Sequence, residues 1–486
     1  GVKYIIIEHD HKYLKTNNPV LYLHNLANED GIQNLEFYRK AYAVLCQSTL
    51  HASIVYRNTL LDNIVNLKGN LWCEEDLATL THYESIRSGL SAVPKEKVFP
   101  ITWGVLQSSN KNKGIPQTVE FIKNNQITGA AWMPATNNFK KFVEESLSKV
   151  EGVLFFPMWI ESFNRFVVEA RALGCKVQTS DRVGAASDGY LALKGAPLIA
   201  KMRQVKKDIF GVYKRLLADE PVETYSEVLP RVSIITTFVE AEEYVEEYIE
   251  HIVAQTIFDE IDLVMYDAGS SGREKEIIES YVNKYSNICY IRDESRIGSS
   301  EAFNKMITES TNDIIGMIMM DDRPAADYAE KLRKHLFYGA ADLVYGDCVN
   351  TTTKNDTITK NFYTTYSVYE HSLNEFSPAN MIKCLPGPMP MFKKDMVISV
   401  GMFNTEYKHA NDWELWLRCV RNKATFSKVR KRLGLYYVNP DGVTTSEETF
   451  ESKITEENKI FNEYRDVIGE HNYNLYKNYF GQFENQ

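Results

Sequence analysis

Ile314-Ile315-Gly316-Met317-Ile318-Met319-Met320-Asp321-Asp322-Arg323-Pro324 decides how this 486-residue chain is read. An apolar run, bounded by Asp313, stops abruptly at two adjacent acids followed by Arg and Pro. Such a run predicts a strand buried on both faces. Acids at the carboxyl end of a buried strand stand where open α/β sheets bind ligands. Two hard oxygen donors there suit Mg2+ or Mn2+ bridging to a diphosphate, which makes Asp321 and Asp322 the candidate metal residues. The plainer alternative is an acidic turn after a core strand.

Working outward, Val232 to Phe238 predicts a strand running into a polar turn, and Ile261 to Asp267 a second strand that ends in Asp267-Ala268-Gly269. Arg296-Ile297-Gly298-Ser299-Ser300 precedes the acidic run, and Ala410-Asn411-Asp412-Trp413-Glu414 opens a helix downstream. Leu385 to Phe392 predicts a proline-rich turn and strand, and Leu433 to Thr444 a closing segment. Taken in order, from about Pro230 to Ser446, these motifs resemble the inverting glycosyltransferases of family 2, which have the GT-A fold.

The resemblance implies a role for each position. Thr237 would lie near the nucleotide base or ribose, Asp267 would accept from a uracil N–H, and Arg296 would offset diphosphate charge. Asp321 and Asp322 stand at the family's metal-binding Asp-x-Asp, with Met319 where its first Asp usually is. Asp412 matches the general base that takes the proton of an acceptor hydroxyl. Trp413 and Glu414 would edge the acceptor site, the alternatives being a core aromatic and a structural ion pair. The donor implied is a nucleotide-sugar, a UDP-sugar first. The acceptor is a glycan, free, lipid-linked or on protein, and the cofactor Mn2+ or Mg2+. A segment that orders over the donor is expected within 433–444.

The first part of the chain also alternates strands and helices, which predicts parallel sheets with covered faces. Pro157-Met158-Trp159-Ile160-Glu161 leads into a helix carrying Glu169, with Gly174 closing it. The helix start offers free N–H groups to a phosphate, and a helical glutamate can accept from ribose hydroxyls. Glu161 and Glu169 in this spacing resemble the Glu-x7-Glu motif of retaining GT-B glycosyltransferases of family 4. Lys113-Gly114 resembles that family's phosphate-contacting turn, and His9-Asp10 its His-Asp pair. The resemblance implies donor binding by His9, Lys113, Glu161 and Glu169. Val105 stands where the family usually has Arg, and Asn164 where it has Gly. His9 and His11, two apart, would share one side of a strand and could form part of a metal site.

The fold class expected is therefore α/β: N-terminal GT-B-like Rossmann units, the first incomplete, then a GT-A domain of the nucleotide-diphospho-sugar transferase kind. The expected limits are 1–92 for the partial unit, 93–218 for the second Rossmann-like domain, 219–229 for a linker, 230–446 for the GT-A domain and 447–486 for a helical extension that could pack against a second copy. The incomplete first unit, with Gly1 at the start, leads us to expect residues before it.

Bulk properties fit this plan. With 44% apolar and 25% charged residues the chain can bury a sizeable core. A net charge of −10 argues against nucleic acid as a partner. Seven scattered cysteines without a CxxC pair suit a reducing compartment, the cytoplasm. No apolar run reaches the ~20 residues of a membrane span. Two further readings stand beside transfer in the GT-A part: activity in the GT-B part, or a non-catalytic scaffold that binds nucleotide-sugar or glycan.

Overall fold

A computed structural model describes residues 3–22, 26–27, 31–90, 99, 101–134, 136–339, 341–358, 375–440, 442 and 446–481. The chain divides into two compact units, Gly1–Glu227 and Val228–Gln486.

The first unit holds two parallel sheets. β1 (Ile5–Ile7), β2 (Ala43–Cys46) and β3 (Ile64–Asn66) form one in that order. β4 (Ile101–Gln107), β5 (Ala130–Pro134), β6 (Val150–Phe155) and β7 (Lys176–Thr179) form the other, in the order β5-β4-β6-β7. Helices such as Ile115–Asn124 and Arg165–Ala172 link the strands. The boundary expected at 92/93 lies outside the described residues.

His9 and His11 do not share a strand face. β1 ends at Ile7, and His11 takes a left-handed φ of +53°. His9 is consequently exposed, whereas His11 is buried against the His51 ring, centroids 4.8 Å apart.

The second unit is built on one eight-stranded sheet. Its strands are β8 (Val232–Phe238), β9 (Ile261–Asp267), β10 (Ile288–Arg292), β11 (Ile314–Met317), β12 (Arg323–Pro324), β13 (Leu343–Thr351), β14 (Met391–Lys393) and β15 (Phe426–Tyr437), in the order β10-β9-β8-β11-β14-β13-β15-β12. β10, β9, β8 and β11 run parallel; β14 runs antiparallel to both β11 and β13. All seven residues of β8 are buried, which explains its unbroken run of β-branched and apolar side chains: helices cover both faces of a parallel sheet. The two faces carry separate cores. Ile235, Ile315, Phe392 and Trp416 belong to one, and Ile234, Ile314, Met391 and Leu332 to the other, as strand alternation requires.

The strand expected over the whole apolar run stops early. β11 ends at Met317, and Ile318 to Met320 continue as buried backbone that turns, with Asp322 N–H donating to Met319 O at 3.1 Å. The acids therefore sit on a tight turn between β11 and β12, not on the strand itself. The tail folds as helices Phe450–Glu463, Arg465–Ile468 and Glu470–Gly481, whose Ile460, Phe461, Tyr464 and Ile468 enter the core shared with Trp416.

Candidate active site

The acidic turn is fixed from three sides. Arg323 is 2% exposed, and its guanidinium donates to Met320 O at 3.0 Å, to Asp322 O at 2.8 Å and to Asn355 Oδ1 at 2.6 Å. β12 pairs antiparallel with β15, Arg323 opposite Leu435. Tyr437 N–H then donates to Asp322 Oδ1 at 3.1 Å, and Asn439 Nδ2 to Asp321 Oδ2 at 3.4 Å. Asp322 is 1% exposed and its Oδ2 has no partner, while Asp321 is half-buried. Burial pushes both carboxyls up, and for Asp322 repulsion from Asp321 adds to it. Among the described residues no three His, Cys, Asp or Glu side chains converge on one point, so a cation here would draw only two side chains from the protein. An unpartnered buried carboxylate oxygen beside a second carboxylate is nonetheless a donor set that suits a hard divalent ion.

Asp412 lies in the first turn of the helix Asn411–Arg421 and is half-buried. Its Oδ1 accepts from Trp413 N–H at 2.7 Å, and its Oδ2 from the Cys384 thiol at 3.2 Å. Burial pushes this carboxyl up as well. Contacts run from its helix and from Cys384 toward the other candidates. Asn411 Nδ2 donates to Ser300 Oγ at 2.7 Å, on the helix that follows Arg296. From Cys384 the chain runs six residues to Pro390, whose carbonyl accepts from Met317 N–H at 3.0 Å at the end of β11. Six residues reach at most about 20 Å. Met319, Leu385, Ala410 and Trp413 share one core cluster, so the acidic turn and the Asp412 helix border the same core.

Two residues expected at the acceptor side are elsewhere. Trp413 is 3% exposed and donates from Nε1 to Met381 O at 2.8 Å, inside that core. Glu414, also buried, accepts from Arg418 Nε at 2.9 Å, from its NH2 at 2.7 Å and from Tyr464 OH at 2.5 Å. Both are structural because successive helical residues point about 100° apart; beside an exposed position the next one faces inward.

Thr237 is buried near the end of β8. Asp267 ends β9 with no exposed surface. Its Oδ1 accepts from Ser270 N–H at 2.8 Å, and its Oδ2 from Tyr290 OH at 2.6 Å and Arg292 NH1 at 2.7 Å. Burial alone would raise this carboxyl, but the donors outweigh it and hold it below its usual value. Asp267 is therefore not a free acceptor for a base; Arg292 covers it. Arg296, exposed and at φ +49°, donates to Glu240 Oε1 at 2.7 Å and Gly269 O at 3.2 Å.

In the first unit, the Lys113 ammonium meets Glu161 at 2.8 Å, and Asn164 Nδ2 donates to the same carboxylate at 3.0 Å. Gly114, at φ +69°, is obligatory: a Cβ there would lie 1.8 Å from Phe156 O. Ser162 Oγ donates to His9 O and Ser48 Oγ to Ser162 O at 2.6 Å, which brings His9, Glu161 and Lys113 into one neighbourhood. Glu169 is not part of it. It is 6% exposed, and Trp72 Nε1 at 3.0 Å and Arg165 Nε at 3.1 Å hold its Oε1. Burial raises its carboxyl, Arg165 opposing, and no ribose acceptor is presented. The helix start expected to face a phosphate is capped by Asn164 Oδ1, which accepts from Val167 N–H.

Sequence reading missed Arg323, Arg292, Cys384, Tyr437 and Asn439. For Arg292 a signal existed, since the Asp267 and Arg292 strand ends are register partners. For Cys384, Tyr437 and Asn439, partners lie 28 to 118 residues away in sequence and no local pattern marks them, whereas Arg323 directly follows the acid pair.

Residues 233–401 match the family described as Glycosyl transferase family 2. An uncharacterized glycosyltransferase of Methanocaldococcus jannaschii is 24% identical over 211 residues, covering 43% of this chain and 71% of the relative. The uncharacterized glycosyltransferase EpsJ of Bacillus subtilis is 28% identical over 117 residues, 24% of this chain and 33% of EpsJ. Among solved structures, S. aureus TarS 1-349 in complex with UDP-GlcNAc is similar over 49% of this chain and 71% of that one, at 15% identity and a TM-score of 0.39.

Proposed function

We propose how this chain, a glycosyltransferase with a family 2 domain over residues 233–401, carries out its transfer. The donor is a nucleotide-sugar, a UDP-sugar first, and the acceptor a hydroxyl of a glycan, free, lipid-linked or on protein. The observation that carries the reading is the acidic turn: a buried carboxylate with one orphaned oxygen beside a second carboxylate, bordering the same core as the helix that bears Asp412.

Asp321 and Asp322 would hold Mg2+ or Mn2+, the remaining positions going to donor phosphate oxygens and water. When bound, the ion neutralises charge on the departing diphosphate. Arg296 lies on the diphosphate side with a guanidinium able to leave Glu240 for phosphate. Thr237 and the Asp267–Arg292 pair border the nucleotide end, with Arg292 rather than Asp267 turned to the base.

Asp412 takes the acceptor's proton as the acceptor oxygen bonds to the anomeric carbon. The bond from that carbon to the diphosphate breaks on the opposite face, its electron pair leaving with the nucleoside diphosphate. The product is inverted because base and leaving group lie on opposite sides of the sugar. Among the described residues no helix is long and apolar enough to cross a membrane. Seven free cysteines are compatible with a cytoplasmic site of action.

The test is Asp412→Asn. Turnover should fall by a factor on the order of 10²–10⁴, the usual contribution of a general base. Donor affinity in Mn2+, measured by calorimetry across a panel of nucleotide-sugars, should stay within about twofold, since the charged base touches the acceptor, not the donor. Wild-type turnover in this variant would overturn the assignment.

A further inference from the structure

We propose that Cys384 is a positioning residue for transfer: its thiol holds the Asp412 carboxylate in the orientation and charge state that proton abstraction needs. The proposal rests on the reading of Asp412 as the base.

The geometry is specific. Cys384 Sγ donates to Asp412 Oδ2 at 3.2 Å, and the helix's own Trp413 N–H holds Oδ1 at 2.7 Å. Among the described residues Trp413 N–H holds Oδ1 and the thiol holds Oδ2, and a carboxylate oxygen can accept more than one hydrogen bond, an incoming hydroxyl's included. The thiol is held in turn by its segment. Trp413 Nε1 donates to Met381 O at 2.8 Å, Gly387 N–H donates to Cys384 O at 3.4 Å, and Met381 and Leu385 are fully buried. Met381 is thus tied to the helix start by Trp413, and Leu385, next to Cys384, lies in the same core as Trp413.

A thiol suits this place. A buried carboxylate is driven toward its neutral form, which cannot accept a proton; a donor to the charged form opposes that. A cation in the same position would overshoot and leave a weak base, whereas S–H is a weak donor. The charged groups facing the carboxylate from the packed helix Phe450–Glu463 are Lys453 and Glu457, which pair with each other at 3.9 Å. Lys453 also favours the charged form of Asp412, and the Cys384 thiol hydrogen-bonds directly to its Oδ2. Burial and the carboxylate push the Cys384 thiol up, so it stays protonated and donates.

The experiment compares wild type, Cys384→Ala, Cys384→Ser and Asp412→Asn as full-length chains. The first readout needs no substrate. The S–H stretching band of Cys384, isolated by infrared difference against Cys384→Ser, should lie below that of a free thiol and rise in Asp412→Asn. The second is the pH profile of hydrolysis of UDP-glucose and UDP-N-acetylglucosamine in Mn2+, with water in the acceptor's place. Cys384→Ala should lose roughly tenfold in kcat/KM on the acid side, with the acid limb displaced to higher pH and recovery toward alkaline pH. Cys384→Ser, which keeps a donor, should follow wild type. A purely structural role would lower kcat/KM evenly without moving the limb. An S–H band indifferent to Asp412, or a Cys384→Ala limb coincident with wild type while Asp412→Asn is inactive, overturns the proposal alone. Full hydrolysis by Asp412→Asn overturns the base assignment and the proposal with it.

Discussion

Asp322 is the buried carboxylate of the acidic turn with an oxygen that has no hydrogen-bond partner. One oxygen has only Tyr437 N–H and the other has nothing, so its charged form is poorly solvated. Burial and repulsion from Asp321 push its carboxyl well above its ordinary range. A group shifted in that direction adds stability that is fully present below its unfolded pKa and lost as pH rises through the folded one. Near neutral pH the folded wild type therefore carries an ionisation penalty that an amide does not. Asp322→Asn should lower turnover at least about a hundredfold, through loss of metal-assisted charge stabilisation, yet raise the melting midpoint in chelator near neutral pH. That gain should shrink as the pH falls toward the ordinary carboxylate range, and thermal melts across pH check it. A lower midpoint for the variant near neutral pH would contradict the account. Asp412, also shifted up by burial, must be charged to work. Activity should fall as pH drops through a value above the ordinary carboxylate range, and the acid limb of kcat/KM reads this directly.

At the scale of elements, the helix Asn411–Arg421 divides its labour by turn. Its first turn presents Asp412, while Trp413, Glu414, Leu417 and Val420 face inward. The buried carboxylate of Glu414 is satisfied by Arg418 and Tyr464, which ties this helix to the C-terminal helices. Removing one member of a buried ion pair strands the other. Glu414→Ala should thus cost about 3–5 kcal/mol in urea unfolding, with donor affinity little changed. The sequence placed this helix but left Trp413 and Glu414 open between the acceptor edge and a core aromatic and a structural ion pair, because consecutive residues do not say which side chains are buried; the Met381, Arg418 and Tyr464 contacts favour the structural alternatives. The same limit applies to the acidic run, whose seven apolar residues look like a strand throughout. Only pairing partners end a strand, and β14 and β8 offer register to Met317 and no further.

For the whole molecule, two units with separate cores predict two unfolding transitions in calorimetry. Nucleotide-sugar with Mn2+ should raise only the transition of Val228–Gln486, since a ligand stabilises what it binds. Glu169→Ala should weaken the first unit, where Trp72 and Arg165 lose their partner, and leave transfer intact; loss of transfer would restore the family 4 reading. The sequence by itself determined the strands Val232–Phe238 and Ile261–Asp267, the start of the strand before the acid pair, the α/β alternation and the helix start at Asp412. Those are local patterns of hydrophobic period and chain punctuation, and local patterns are written in consecutive residues. Tertiary structure alone decided which carboxylates are free. Asp267 is spent on Arg292 and Tyr290, Glu169 on Trp72 and Arg165, and Glu414 on Arg418 and Tyr464, whereas Asp322 keeps an oxygen open. Ionisation and availability depend on desolvation and on donors brought in from distant segments, and residue type does not encode either.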